Sequence, residues 1–473
     1  MNGEAGMRAG WFYSIEQPYR LVKNGKYAVM AMAISALLAG CAPYQPLVVP
    51  QQPNFAALPA TAPMPGHLAE AETLTLGSIQ TLVLQNNPDL KAAKRGLMIA
   101  AARIRQAGSL PDPSLNLTLD HPLNGAGLIN AMNQAIGLDL SAIISRNDRL
   151  DAAKAAQIQQ ELNYTWLGLT TQIKASDLYI QQVANAEQTR VLTVELTELR
   201  ARQRQGEAAL AKGYITQDRV VADVVRAADL ARQVDVLQLQ AIQMHQKMNA
   251  LMGLAPDTFW QTRGWPNIAT PDTAQQNLML TQLAARRPDL LALRAGVLQA
   301  DANYRAAILQ QFPGLTLGFS HANDTSNVQT AGFSVGLSLP IFGSAQAGVA
   351  VAQASRAQLL AEFQVRINQA VSDVAAVQSQ LAAYRARLAQ IDARLPTLEK
   401  TAANAQTALD AGYFSAGSYL AVRATLTAER LNAIQTRQAI VQAQLALLGV
   451  LGCPEKSTMN TSTVDESTIE KKY

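Results

Sequence analysis

From Ser145 to Gln205 the chain has no proline and a single glycine, Gly168. Its apolar side chains fall at alternating steps of four and three: Leu162, Trp166, Leu169, Ile173, Ile180 and Val183, with Ser176 in the gap. That spacing keeps a stripe on one face of a helix and predicts coiled-coil packing. Unbroken, such a helix reaches ~90 Å. A second stretch, from Ser344 towards Ala411, is similar, although Pro396 should kink it or shift its hydrogen bonds. Return helices are expected at about 217–252 and 418–449. Other segments have period two. In Ser114–Asp120 the side chains of Leu115, Leu117 and Leu119 alternate with polar neighbours, as do Leu315, Leu317 and Phe319 further on. Segments around Ile136–Leu140 and Phe333–Leu339 alternate too, and the Asn-, Gly- and Ser-rich loops between predict two β-hairpins.

These elements recur because the chain repeats itself. Pro88-Asp89-Leu90 returns as Pro288-Asp289-Leu290, and 13 of the 34 positions from Pro88 to His121 are identical 200 residues later. Gly213-Tyr214 returns as Gly412-Tyr413 at an offset of 199. The chain thus reads as two copies of one unit, too long for a solenoid repeat. The first occupies 74–270, with a hairpin at about 113–144 and long helices at about 145–205 and 217–252. The second occupies 271–454, with a hairpin at about 313–342 and helices at about 344–411 and 418–449.

At the amino end, Lys23 and Lys26 precede an apolar run that ends in Leu38-Ala39-Gly40-Cys41. This is a secretory signal with a lipobox, too short to span a bilayer, so residues 1–40 are expected to be removed and Cys41 lipidated. Ala42 is not the Asp that retains lipoproteins in the inner membrane, which favours the outer one. The seven prolines of residues 42–72 predict an extended tether within 41–73, and the polar stretch 455–473 a disordered tail.

Composition narrows the function. Aromatic residues make up 5% of the 473, charged residues 16%, and 39 Lys and Arg balance 35 Asp and Glu, so nothing offers a field for nucleic acid. Two cysteines exclude a disulfide scaffold, and catalytic motifs are absent, so no enzyme, cofactor or metal site is expected. Four amphipathic strands cannot close a membrane barrel, and open edges are not tolerated in lipid. Three copies would supply twelve strands and a continuing tube of long helices. The competing class is a lipid-anchored periplasmic coiled-coil scaffold, which needs no hairpins.

Taken in order, the lipobox, the paired Pro-Asp-Leu helix starts, the hairpins, Leu339-Pro340-Ile341-Phe342-Gly343 and the paired Gly-Tyr turns resemble the TolC-like outer-membrane factors, from about Thr75 to Pro454. The first copy departs from the pattern, with Ser141–Arg146 where Pro-Ile-Phe-Gly would stand. The resemblance implies a mainly α fold with a small β part. It implies a homotrimer forming a 12-strand outer-membrane β-barrel continued by a periplasmic α-helical barrel. Its partners would be a periplasmic adaptor and an inner-membrane pump, with a lipidated member pointing to the resistance-nodulation-division type. The cargo would be drugs or other small toxic molecules, with metal ions or secreted polypeptides as alternatives.

The periplasmic tips would then be the turns Gly206–Asp218 and Asp410–Ser418, where Gly213, Tyr214, Thr216, Gly412, Tyr413 and Ser415 are candidates for adaptor docking. The resemblance also implies polar links that close the tip, for which Asp218, Arg219, Asp410 and Arg423 are candidates. By parity, Asp120 and Asp139 face the lumen, while His121 and His321 share the phase of the lipid-facing leucines and read as interfacial residues, not a metal ring.

Overall fold

The computed structural model describes residues 46, 47, 49–58 and 73–452. Cys41, the signal, most of the tether and the tail lie outside them. Residues up to Asn54 form a unit of their own, without helix or strand where described; the body begins at Phe55.

In the first repeat, strand β1 (Thr73–Leu74) leads into helices α1 (Leu76–Asn86) and α2 (Pro88–Gly108), strands β2 (Ser114–Asp120) and β3 (Ala131–Asp139), and a short helical turn α3 (Ser141–Ile144). Two long helices follow, α4 (Arg146–Ala211) and α5 (Gln217–Leu251), and then strand β4 (Gln261–Thr262). The second repeat has α6 (Thr273–Thr281), α7 (Leu283–Arg286), α8 (Pro288–Leu309), β5 (Gly314–Asn323), β6 (Gln329–Ser338), α9 (Ser344–Asp410) and α10 (Ala416–Val450). At 66 and 67 residues, α4 and α9 are each about 100 Å long. Proline at the first position suits the starts of α2 and α8, where its missing N–H has no helical partner to lose.

The two hairpins make one antiparallel sheet in the order β2-β3-β5-β6. Leu115 pairs with Ile136, Ile136 with Phe319 and Phe319 with Phe333, so the odd positions of β2, β5 and β6 and the even positions of β3 share one apolar face. The other face carries Asn116, Thr118, Thr316, Ser320, Ser334 and similar small polar residues. Among the described residues the outer edges of β2 and β6 have no strand beside them.

The long helices pack with α4 at the centre. It touches α1, α2, α5, α8 and α10, while α9 touches α8 and α10. The expected stripe of α4 is at least partly buried along its length, but Thr171, Gln172, Ala175, Tyr179 and Asn185 are buried as well. The coiled-coil packing expected from the spacing is present, with neighbours on several sides of this stretch, and the polar residues among them, such as Asn185, bond to backbone. Pro396 does not break α9. Pro396 and Asp392, whose carbonyl lacks the N–H that residue 396 would supply, are both exposed, so water can serve that carbonyl.

Where repeats meet their own long helices, the joints match. Asn87 Nδ2 donates to the carbonyl of Leu251 at 3.0 Å, and Arg287 Nη1 to that of Val450 at 3.0 Å. Arg287 also pairs with buried Asp289 at 2.7 Å and lies over Trp166. Burial works against the Asp289 charge, but bonds from Arg287 and Arg366 hold its carboxyl below the ordinary range. The first repeat adds an apolar core of Ile79, Val83, Tyr179, Met248 and Trp260, in which Trp260 Nε1 donates to Asn249 Oδ1 at 2.7 Å.

Candidate functional site: the helical tips and the cleft above them

Both long hairpins turn through the same backbone. In the first, Gly213 (φ 73°) and Tyr214 donate to the carbonyls of Leu210 and Ala209 at 2.9 Å; in the second, Gly412 (φ 80°) and Tyr413 donate to Leu409 and Ala408 at 3.0 and 2.8 Å. This is the paired closure that a left-handed residue permits at a helix end, and glycine adopts it without a Cβ penalty. It places Tyr214 and Tyr413 outward, 77% and 89% exposed. Ser415 caps α10 by accepting from Ser418 N at 3.0 Å, while Thr216, at the same place before α5, makes no cap bond. The turns are shorter than the sequence suggested. Helix α4 continues through Gly206, which faces Val220 and Ile215, and Asp218 and Asp410 lie in the first turn of α5 and the last of α9.

Within one chain, no salt bridge among the described residues joins Asp218 or Asp410 to Arg219 or Arg423. Asp218 is exposed, and a hydrogen bond with Thr216 holds its carboxyl below the ordinary range. Asp410 accepts from Gln406 on its own helix at 2.9 Å. Arg423 reaches α4 instead, donating to Glu195 at 3.0 Å and to Glu198. Burial opposes the Arg423 charge, yet Glu195, Tyr419 and Glu198 together raise its pKa. Distance along the helix explains the change of partner: Arg423 is about two turns into α10, level with α4 residues well above the turn.

Around Arg423 lies a cleft of about 660 Å³ bounded by α4, α5, α9 and α10. On its wall Arg202 donates from Nε to Asp223 Oδ2 at 3.0 Å and stands over the Tyr419 ring at 4.6 Å, so one side chain of α4 ties α5 to α10. Glu195 answers from the same helix, accepting from Arg423 and from Thr427 Oγ1 at 2.9 Å. Asp223 is 4% exposed, and burial raises its carboxyl despite the Arg202 charge. Arg219 and Asp410 line the cleft without joining this network. The sequence held a signal for the missed residues: Glu195 and Arg202 fall in phase with Leu192 and Leu199, and Asp223 with Val220, Ala227 and Leu230. A charge at a seam position has to find a partner across the seam.

In the sheet, Asp120 lies on the polar face, and so does Asp139, whose Oδ1 accepts from Ser141 N at 2.9 Å just before the turn that replaces Pro-Ile-Phe-Gly. His121 follows β2 and meets Asn130 at 2.7 Å; His321 stands on the apolar face opposite Gln134. The two rings are not partners of each other.

Residues 279–453 match the family model described as outer membrane efflux protein. Over that segment the chain is similar to outer membrane efflux proteins. Relatives agree over most of its length. It is 26% identical over 331 residues to a pyoverdine export outer membrane protein, OpmQ, of Pseudomonas putida, covering 63% of this chain and 69% of the relative. It is 26% identical over 416 residues to the cobalt-zinc-cadmium resistance protein CzcC of Cupriavidus metallidurans, covering 85% and 93%. The fold matches the outer membrane channel CmeC of Campylobacter jejuni with a TM-score of 0.70 at 15% identity, over 91% of this chain and 98% of that one. It also matches VceC of Vibrio cholerae with 0.68 at 18%, over 80% and 97%.

Proposed function

We propose that this protein works as a homotrimeric exit duct whose sheet closes a twelve-strand barrel with two further copies and whose tips receive a periplasmic adaptor and, through it, an inner-membrane pump. The observation that carries the reading is the sheet: apolar on one face, small and polar on the other, with two free edges and four strands where a closed barrel needs at least eight. A coiled-coil scaffold leaves that sheet without a role. The channel does no chemistry of its own.

Cys41 carries the lipid in this proposal, and the pump is of the resistance-nodulation-division type. The cargo is small organic molecules; the likeness to CzcC favours metal ions as the second reading. Gly213, Tyr214, Thr216, Gly412, Tyr413 and Ser415 form the docking tips, with Asp218, Arg219 and Asp410 exposed beside them. The closure belongs to Glu195, Arg202, Asp223, Tyr419 and Arg423, which lock α5 and α10 to α4, and Asp120 lends the bore a mild negative charge. The test is a photo-crosslinker at position 415 in living cells, combined with conductance in a planar bilayer. Capture of an adaptor together with trimeric channel steps is the expected result; a monomeric species without conductance would sink the proposal.

A further inference from the structure

The apolar face of the sheet is too short for the membrane it has to match. Counting from the end joined to the helices, three rows of outward side chains are wholly apolar: Leu315 with Leu337, then Leu138, Leu317 and Val335, then Leu115, Ile136, Phe319 and Phe333. In the next row Gln134 and His321 stand beside Leu117, and in the last Asn323 and Gln329 stand beside Leu119. Rows on one face are about 7 Å apart along a strand, so three rows span ~14 Å. With strands tilted at ~40°, their height is ~10 Å against the ~25 Å apolar band of an outer-membrane barrel.

Below the first row, the joints between strands and helices hold the missing apolar surface. Leu110 lies before β2, Ile144 after β3, Phe312 before β5, and Leu339, Ile341 and Phe342 after β6. All six are 60% exposed or more, and Phe342 reaches 92%. They cluster at one end of the sheet, since Ser114 pairs with Gly137 and Gly314 with Ser338. Further down α2, past exposed Gln106, stand the exposed cations Arg105 and Arg103, which have no ion pair among the described residues. Apolar side chains followed by unpaired cations reproduce the order of acyl chain and phosphate.

We propose that these joints form a collar immersed in the acyl chains of the periplasmic leaflet, with Arg103 and Arg105 at its phosphates. The bilayer therefore sits low on the barrel, centred near the lowest strand rows, and the polar row of Gln134 and His321 approaches the outer boundary. This rests on the reading of the sheet as membrane barrel. The test uses the unaltered full chain in phospholipid bilayers, labelled either by phospholipid carrying a diazirine on its acyl chain or by a water-soluble diazirine, with adducts mapped by mass spectrometry. Phe333 reports the apolar face and Ser334 the polar one. The ratio of lipid to aqueous adducts at Leu339, Ile341 and Phe342 is expected to follow Phe333. A ratio like that of Ser334, or protection from both probes as under a neighbouring copy, overturns the collar while leaving the barrel standing. Absence of lipid adducts at Phe333 itself overturns both.

Discussion

At Arg287 one side chain carries three contacts: the buried Asp289 carboxylate, the Val450 carbonyl and the Trp166 ring. Arg287→Met leaves buried Asp289 with Arg366 as its remaining ion-pair partner, so it is expected to destabilise the detergent-purified protein by about 1–3 kcal/mol, read as a lower thermal midpoint. Two buried carboxylates should respond to acid with opposite signs. Asp289 lies below its unfolded value, so the stability it contributes is present above the ordinary carboxylate range and lost as pH falls through the lowered value. Asp223 lies above its unfolded value, so its contribution is fullest in acid and is lost as pH rises through the raised one. Protons therefore bind the closed arrangement better than one that exposes Asp223, so opening is expected to become harder in mild acid, and Asp223→Asn should remove that pH dependence. A close polar pair couples by about 0.5–3 kcal/mol, so the open fraction of the parent should fall about two- to a hundredfold on acidification in single-channel recordings. A parent whose open fraction ignores pH would remove Asp223 from the gate.

The paired turns make a comparison between glycines that look alike in sequence. Gly412 has φ 80° with nothing near its missing Cβ, so Gly412→Ala meets backbone strain alone, about 1–2 kcal/mol. At Gly253 the same substitution would also put Cβ 2.6 Å from the Asn86 carbonyl oxygen, and it should lower the thermal midpoint further. Equal losses would mean that the α1–α2 joint yields. Such joints were out of reach of the sequence, where Gly253 and Gly452 are merely glycines at matching offsets. The long helices and the alternating strands were legible because a period of 3.5 or 2 sustained over many residues has few other readings. The charge network above the turns was not, because a charge's phase on one helix does not say which residue of the next helix it meets. Asp218, Arg219 and Asp410 face water there, while the charges that pair, Glu195, Arg202 and Asp223, sit one to several turns away among leucines and valines. Helix position sets which charges meet, and chain proximity to a turn does not.

For the molecule as a whole, the repeats have diverged according to where they lie. Helix α8 is packed between α4 and α9 and buries Leu290, Ala292, Ala295, Ala302 and Ala306, whereas its counterpart α2 packs mainly on α4 and exposes Lys91, Lys94, Arg95 and Arg105. The two matching helices thus stand in different packing environments within the chain. Membrane attachment is a separate matter from the fold. Cys41→Ser is expected to leave the mature protein without its acyl mass and with weakened membrane retention before assembly, checked by intact-mass spectrometry and fractionation. An unchanged mass would exclude lipidation at that position.

The free edges of β2 and β6 have a genetic consequence. In the proposed homotrimer the ring closes only if every copy offers both edges, so one faulty copy spoils the whole. A chain with Ala331→Pro and Gly332→Pro loses backbone donors from β6 but keeps its β2 edge and its helices. Made in equal amount with the normal chain, it would leave about one assembly in eight wholly normal, and the allele should act as a dominant one.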